Sequence, residues 1–387
     1  MPSNTPWPRV VNTTMVKHLG EQEVAVLRSS RVGAMLESRG RVSVGGYGID
    51  WQVQYKNHVT NAVSGTQQPN FVAQNLWKTA TLETRAYQTP DAMVKKEFLQ
   101  NKGVEALVKV FERAIPRLIA STKQNFGGEY YVDGNASGNE SRLHGFDSFV
   151  GTPTQTIDVS VASNAGRSLN VADLVAIPTA TYAGISTVLG NAGGSYQTAP
   201  VVSDQYGLTH WPNGNVDPEY DFFTPLLVNW PSTGFTGGTG TPRTFKTQGF
   251  EALRFAIINN QRNQLAEGAV DMVLLDRVLY AQLLLAHDGN QRTLVTEETG
   301  LKSFGFKNVI TFDGVELSSE YFVPSACGYG FNINCMELMS MQSKIFDAQG
   351  PTWDINSQSY KMMIDFYGNL RFDSPRNFFK LAKYKDA

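Results

Sequence analysis

The chain has 387 residues with 33 basic and 35 acidic side chains, a formal net charge of −2 and 18% charged residues, against a usual ~25%. That length exceeds what one hydrophobic core usually fills, ~250–300 residues, so two or three lobes are expected. The near-neutral balance excludes a bulk basic field able to grip nucleic acid. Two cysteines, Cys327 and Cys335, exclude a disulfide framework and read as buried free thiols.

In chain order, residues 1–13 are rich in Pro, Asn and Thr and read as an extended arm. Residues 14–38 are weakly helical, with Leu19, Leu27, Met35 and Leu36 among the apolar positions, and read as a strap laid over another surface. No apolar leader core is expected here, because Lys17, His18, Glu21 and Glu23 interrupt it; together with the lack of a run of ~18 apolar residues, this predicts neither secretion nor a membrane span. The segment 42–88 predicts a long β-hairpin. Ile49, Trp51, Val53 and Tyr55 alternate with Asp50, Gln52, Gln54 and Lys56, and a Thr-rich return strand is predicted over 77–85. The tip, 57–75, is polar and Gly/Pro-containing. A lone hairpin is marginal in water, so this one is expected to lean on something, either the rest of the chain or a neighbouring copy.

A long helix is predicted next, with Thr89 as N-cap, Pro90 at the first helical position and Asp91 in the first turn. Val104, Leu107, Val108, Phe111, Ile115 and Leu118 form its apolar stripe, and Pro116 predicts a kink. Residues 126–154 read as a Gly/Asn-rich connection, with a short strand at 157–161 beyond it. The stretch 186–245 is the least regular, with Trp211-Pro212-Asn213-Gly214 and Gly237-Gly238-Thr239-Gly240, and reads as a surface insertion. Regular α/β patterning then returns: a helix over 248–263, a buried strand over 269–275, and a helix over 276–287 capped by Asp276. A hairpin is predicted over 309–317 around Asp313-Gly314. A strand over 329–341 follows, then an alternating strand through Met362, Ile364 and Phe366, with Gly368-Asn369 as a turn.

Chemistry-bearing patterns are sparse. His18, His58, His144, His210 and His287 are isolated, with no partner at metal-ligand spacing. No nucleophile elbow is present, and the glycines at 237–240 are not followed by Lys-Ser/Thr, so no phosphate loop is expected. Asp133, Asn135 and Glu140 miss the calcium-loop spacing. Asp217, Glu219 and Asp221 alternate in a Pro-flanked loop, better explained as a solvated stretch than as paired catalytic acids. These absences lean away from an enzyme, and no cofactor, metal or catalytic residue is expected.

The order of parts resembles a known family. Thr89-Pro90-Asp91-Ala92-Met93-Val94, Gly145-Phe146-Asp147-Ser148-Phe149, Asp217-Pro218-Glu219-Tyr220-Asp221-Phe222, Phe312-Asp313-Gly314-Val315-Glu316-Leu317, and Gly368-Asn369-Leu370 running on to Ser374-Pro375-Arg376 carry the resemblance. Together they look like the major capsid protein of tailed bacteriophages, the HK97-like fold. The resemblance implies an α+β chain divided into an N-terminal arm (1–41), an extended hairpin or E-loop (42–88), a spine helix with the first part of a peripheral domain (89–160), an axial domain (161–312) with an insertion around 186–245, and return strands (313–387). It further implies pentamers and hexamers in an icosahedral shell around double-stranded DNA, contacted non-specifically, with a separate scaffolding protein and a portal, in a virion assembled in the cytoplasm of a bacterial host. Trp51, Val53, Tyr55, Trp77, Leu19 and Leu27 would be intersubunit contacts. Some family members weld subunits through a Lys–Asn bond; Lys56 and Lys78 lie in the hairpin, but no Asn partner is assignable. Encapsulin-type compartments share the fold and are an alternative. A glycan-binding or glycan-cleaving β-rich protein, motivated by the Trp/Gly/Asn-rich loops, is the alternative from a different class.

Overall fold

The computed structural model describes residues 30–39, 42–46, 48–55, 75–95, 124–153, 178–187, 222–232, 243–260, 269–288, 310–342 and 345–384, with short pieces at 65, 71, 73, 118, 121–122, 156–157, 175–176 and 235. Helix α1 spans Arg31–Arg39. Ser30 opens it, its hydroxyl accepting from the Gly33 amide. Val32, Met35 and Leu36 of α1 are buried in the protomer's own core. The expected strap over another surface is therefore corrected for this part: it packs on its own chain.

Strands β1 (Val42–Ser43), β2 (Gly48–Gln54), β3 (Trp77–Glu83) and β4 (Arg85–Val94) follow. The β2–β3 hairpin forms as predicted, antiparallel, with Ile49 opposite Leu82, Trp51 opposite Ala80 and Val53 opposite Lys78. The helix predicted from Thr89 does not start there. Thr89, Pro90 and Asp91 lie in β4, which pairs with a later strand along its whole length, and residue 95 is the first helical one. Among the described strands β4 has a single neighbour, and an edge strand tolerates proline because one side needs no N–H donor. The stripe residues from Val104 to Ile115, and Pro116, lie outside the described residues; Leu118 is buried. Residues 124–129 are helical, so 126–129 belong to that helix and not to a connection. Gly127 is needed there, because a Cβ would sit 2.3 Å from the Phe322 ring.

The remaining strands are β5 (Thr156–Ile157), β6 (Val175–Ala176), β7 (Thr181–Tyr182), β8 (Ile185–Ser186), β9 (Leu226–Asn229), β10 (Met272–Leu275), β11 (Ile310–Phe312), β12 (Val315–Ser319), β13 (Gly328–Phe331), β14 (Met336–Ser340), β15 (Asp347–Asp354), β16 (Ser359–Phe372) and β17 (Phe379–Ala382). Helices α2 (Phe245–Asn260) and α3 (Arg277–Asp288) lie among them. An eight-stranded sheet runs β11-β12-β10-β13-β17-β9-β6-β5. Its central strands β9, β10 and β13 are buried on both faces, hence their continuous apolar runs. α2 and α3 pack together; α2 lies against β9 and β17, and α3 against β12. Phe245, Ala252, Leu253, Ala256 and Ile257 are the apolar residues of the buried face of α2.

The β11–β12 turn forms at Asp313 (φ 49°) and Gly314 (φ 81°), the left-handed pair that a two-residue hairpin demands. Asp276 precedes α3, but its carboxylate accepts from the Ala326 amide, tying the helix start to another loop. The strand predicted over 329–341 is two strands, split at the Ile333–Cys335 turn of 3-10 helix and placed in different sheets. Part of the predicted insertion is also corrected: β9 and its flanks, 222–232, are buried framework. The loop motifs at 211–214 and 237–240 lie outside the described residues.

In the second sheet, β16 is the spine. Along one edge it pairs with β4; along the other it pairs first with β15 and then, after Asp365, with β14. Gly368-Asn369 is not a turn. Gly368 lies inside β16 where the partner changes, and a Cβ there would stand 1.9 Å from the Met339 carbonyl oxygen. Between the sheets sits an aromatic core of Phe146, Phe149, Tyr182, Phe223, Tyr329, Phe331, Phe372 and Phe378, all essentially fully buried.

Candidate functional site

The hairpin and its root form the candidate site, as a surface rather than a pocket of reacting groups. Ile49, Val53, Ala80 and Leu82 share one face and are buried in the protomer's own main core. Val53 is therefore already covered, which corrects its assignment as an intersubunit contact. Trp51 is half-buried. Its indole N–H donates to the Asp373 carbonyl at 2.9 Å, its ring packs 6.3 Å from Tyr182, and the Arg371 guanidinium lies 5.6 Å over it. Tyr55 is half-buried against Phe222, donates to the Asn75 carbonyl, and has Lys78 over its ring. Trp77 points to the opposite face and is 49% exposed. Leu19, Leu27 and Lys56 lie outside the described residues. The aromatic ribbon thus finds most of its dry environment inside its own protomer, and the outward ring is Trp77.

Four polar nodes hold the root. Arg371 pairs with Glu337 (3.0 Å) and Asp373 (2.6 Å), while Arg39 at the end of α1 also reaches Glu337 and donates to the Ile333 and Met336 carbonyls. Asn369 is fully buried; its Oδ1 accepts from the His144 and Leu370 amides and its Nδ2 donates to the Glu83 carbonyl. Glu129 accepts from the Tyr87 hydroxyl at 2.6 Å and pairs with Arg142, joining the 124–129 helix to β4. Glu320 is buried and accepts from the Ser30 hydroxyl, the Arg31 amide and the Tyr131 hydroxyl. Burial raises the Glu320 carboxyl, opposed by those donors and by Arg31. A further pair, Lys380 with Asp147 at 2.6 Å, receives the Tyr329 hydroxyl on the same oxygen and ties β17 to the 146–149 turn.

A cleft of about 650 Å³ opens beside the root, lined by Glu83, Arg85, Asp133, Asn135, His144 and several threonines. His144 is driven down to about 4 by burial and by Arg85, and burial raises the Asp133 carboxyl. Asp133 accepts from the Asn135 amide, forming a turn, and Glu140 bonds the Gly138 amide instead of joining them. Among the described residues no three His, Cys, Asp or Glu side chains gather to hold a metal ion, and no helix is long and apolar enough to cross a membrane. His18, His58, His210, Asp217, Glu219 and Asp221 lie outside the described residues, as does the His287 side chain. Neither Cys327 nor Cys335 is in a disulfide; burial pushes the Cys335 thiol up to about 11, and Asn377 donates to its sulfur.

Reading the sequence missed Arg371, Asp373, Asn369 and Glu320. Trp51 and Asp373 are 322 positions apart, and Ser30 and Glu320 290 apart, so no local period marks them.

No protein-family model and no curated protein matches the sequence. Solved structures do. The chain is similar to a chain of the cyanophage A-1(L) capsid asymmetric unit, at 14% identity, over 89% of this chain and 90% of that one, with a TM-score of 0.50. It is also similar to the capsid of a native GTA particle, at 9% identity over 91% and 90%, TM-score 0.47. A third likeness is to the holo-SrpI encapsulin complex from Synechococcus elongatus, at 9% identity over 90% and 87%, TM-score 0.45. The first of these likenesses, laid beside the hairpin, the β16 spine and the eight-stranded sheet, identifies the architecture: this chain has the HK97-like fold of phage capsid proteins.

Proposed function

We propose that the chain is the major capsid protein of a tailed phage, whose copies form pentamers and hexamers and close into an icosahedral head around double-stranded DNA. The observation that carries this reading is the fold shared with a cyanophage capsid chain over about nine-tenths of both chains. In this reading residues 42–88 are the E-loop, 89–160 the first peripheral part with the spine helix, which begins after β4 at residue 95, 161–312 the axial domain and 313–387 the return strands. Trp77, with its free face, is the hairpin ring that meets a neighbour. Leu19 and Leu27 of the arm are further contacts, and Trp51 and Tyr55 fix the hairpin's root rather than anchor a partner. A separate scaffolding protein and a portal complete the shell, which is assembled in the bacterial cytoplasm and ends in the virion. A net charge of −2 suits a wall that surrounds DNA without gripping it.

The test is assembly. The full chain, expressed alone and with the neighbouring genes of its source, is examined by sedimentation and electron microscopy. Shells, capsomers or curved sheets are expected; a protein that stays monomeric in both settings overturns the proposal. Particles from the producing cell should hold double-stranded DNA, whereas particles filled with protein cargo and no DNA would replace the phage head by an encapsulin-type compartment.

A further inference from the structure

After β13 the chain passes from the eight-stranded sheet to the β16 sheet through residues 332–335, and it returns through residues 373–378. The two passages run side by side. The Asp373 amide donates to the Cys335 carbonyl at 2.9 Å, and the Asn377 side-chain amide donates to the Cys335 sulfur at 3.2 Å. The second passage also carries the hairpin root. The Asp373 carbonyl receives the Trp51 indole N–H, and the Ser374 hydroxyl donates to the carbonyl of Phe222, the ring on which Tyr55 packs. A shift in these passages therefore reaches the hairpin.

The first passage is gripped from two sides. The Ile333 amide donates to the carboxylate of Asp271, the residue just before β10. The Ile333 carbonyl accepts from the Arg39 guanidinium, which also donates to the Met336 carbonyl at 3.1 Å. The Asp271 amide donates to the Phe331 carbonyl at 3.3 Å, and the Asn332 side chain donates to the Ala269 carbonyl at 2.6 Å. Arg39 is a permanent cation, but Asp271 is not a permanent anion. Its Oδ1 is buried and, among the described residues, has no hydrogen-bond partner. Glu316 on β12 faces it, with the Glu316 amide donating to the Asp271 carbonyl at 3.0 Å. Cys335 on the passage is its other titratable neighbour, and Asp373, Glu337, Arg371 and Arg39 lie beyond Cys335. Burial, with a smaller push from Glu316, lifts the Asp271 carboxyl to about 6 against the bond from the Ile333 amide. An asparagine would hold that amide at any pH without burying a charge. A carboxylate with an orphan oxygen beside a second acid does so only while it carries a proton.

We infer that Asp271 is a proton-operated clasp on the paired passages: protonated, it holds residues 332–335 shut; ionised, it lets them open, and with them residues 373–378 and the Trp51 contact. The direction follows from the two forms. In the open form water reaches the carboxyl, which returns to its ordinary 3.8, so the closed form binds the proton more tightly. The clasp is therefore fully shut below pH 3.8 and loosens as pH rises through 6. Between about pH 5 and about pH 7.5 this linkage makes the open form about tenfold more populated. The opening is local: the paired strands of the eight-stranded sheet stay formed while the clasp is loose.

The experiment is hydrogen exchange of the unassembled full chain across that pH span, expressed as protection factors so that the intrinsic pH dependence of exchange drops out. In the wild type, protection of the Ile333, Cys335 and Asp373 amides and of the Trp51 indole N–H should fall about tenfold from about pH 5 to about pH 7.5, while amides paired within β9, β10 and β13 keep theirs. Asp271→Asn, which cannot ionise, should abolish the fall. Glu316→Gln, which removes the facing charge and leaves Asp271 in place, should move the midpoint of the fall to lower pH. Protection that does not change with pH in the wild type, a fall that persists in Asp271→Asn, or a fall shared equally by the strand amides, as in unfolding of the whole domain, would each overturn the inference. None of these outcomes bears on the shell-forming reading, which assembly alone decides.

Discussion

Replacing Trp51 by alanine measures whether the hairpin root belongs to its own protomer. Truncating a fully buried tryptophan costs about 3–5 kcal/mol. Trp51 is half-buried, so about 2 kcal/mol of that applies, and loss of the indole bond to the Asp373 carbonyl adds about 1 kcal/mol. The Arg371 contact adds about 0.5 kcal/mol. The expected destabilisation is then about 3.5 kcal/mol. Unfolding entropy of about 2.1 cal/mol/K per residue gives ~0.8 kcal/mol/K for 387 residues unfolding together. The Tm of the dissociated subunit should therefore fall by about 4 °C. Trp77→Ala, at a half-exposed position on the outer face, should cost no more than about 0.5 kcal/mol and move Tm by less than ~1 °C, while impairing assembly. The two variants are compared with wild type by calorimetry and by denaturant titration of unassembled protein. Equal, negligible shifts for both would refute the docking of β2 on β16.

Three further outcomes follow from the same geometry. Gly368→Ala forces a methyl against the Met339 carbonyl and should destabilise by about 2–4 kcal/mol or prevent folding, read as loss of soluble protein or a lower denaturation midpoint. Asn369→Ala strips partners from the Glu83 carbonyl and the His144 amide and should cost about 2–4 kcal/mol, with faster hydrogen exchange at 144. Two buried groups titrate in opposite senses. His144, lowered from 6.5 to about 4 by burial and Arg85, binds its proton more readily when unfolded, so its contribution is full above pH 6.5 and lost as pH falls towards 4. Asp271, raised from 3.8 to about 6 by burial, favours the folded state below pH 3.8 and loses that contribution as pH rises through 6. Relative to wild type, His144→Gln should therefore hold its stability better on acidification from pH 6.5 to 4, and Asp271→Asn worse, each by an amount that denaturant titration across pH resolves.

Where burial follows a local period, the fold was legible. The β2 alternation, the continuous apolar run of β10, the helices α2 and α3 and the Asp313-Gly314 turn all stand where the residue pattern puts them, because each depends on neighbours close in sequence. The failures share a different cause. Thr89-Pro90-Asp91 has every mark of a helix start, yet pairing with β16 overrides it, and only a partner some 270 positions away decides that. Gly368-Asn369 looks like a turn because both residues favour turns. The glycine is there to let the Met339 carbonyl approach, and the asparagine to bridge Glu83 and His144. The alternation also correctly marks the apolar face of the hairpin without saying whose core receives it, and for Val53 it is the core of its own chain. β15 and β17 went unseen: a Gly-Pro pair interrupts the first, and the second is only four residues long.

Strand β17 lies between β13 and β9, running antiparallel to the first and parallel to the second. The middle of the eight-stranded sheet is therefore closed by residues 379–382, the latest of its strands to be translated. Without those residues β9 and β13 lack the strand that pairs with both, so the sheet cannot be completed before residue 382 has been added to the polypeptide.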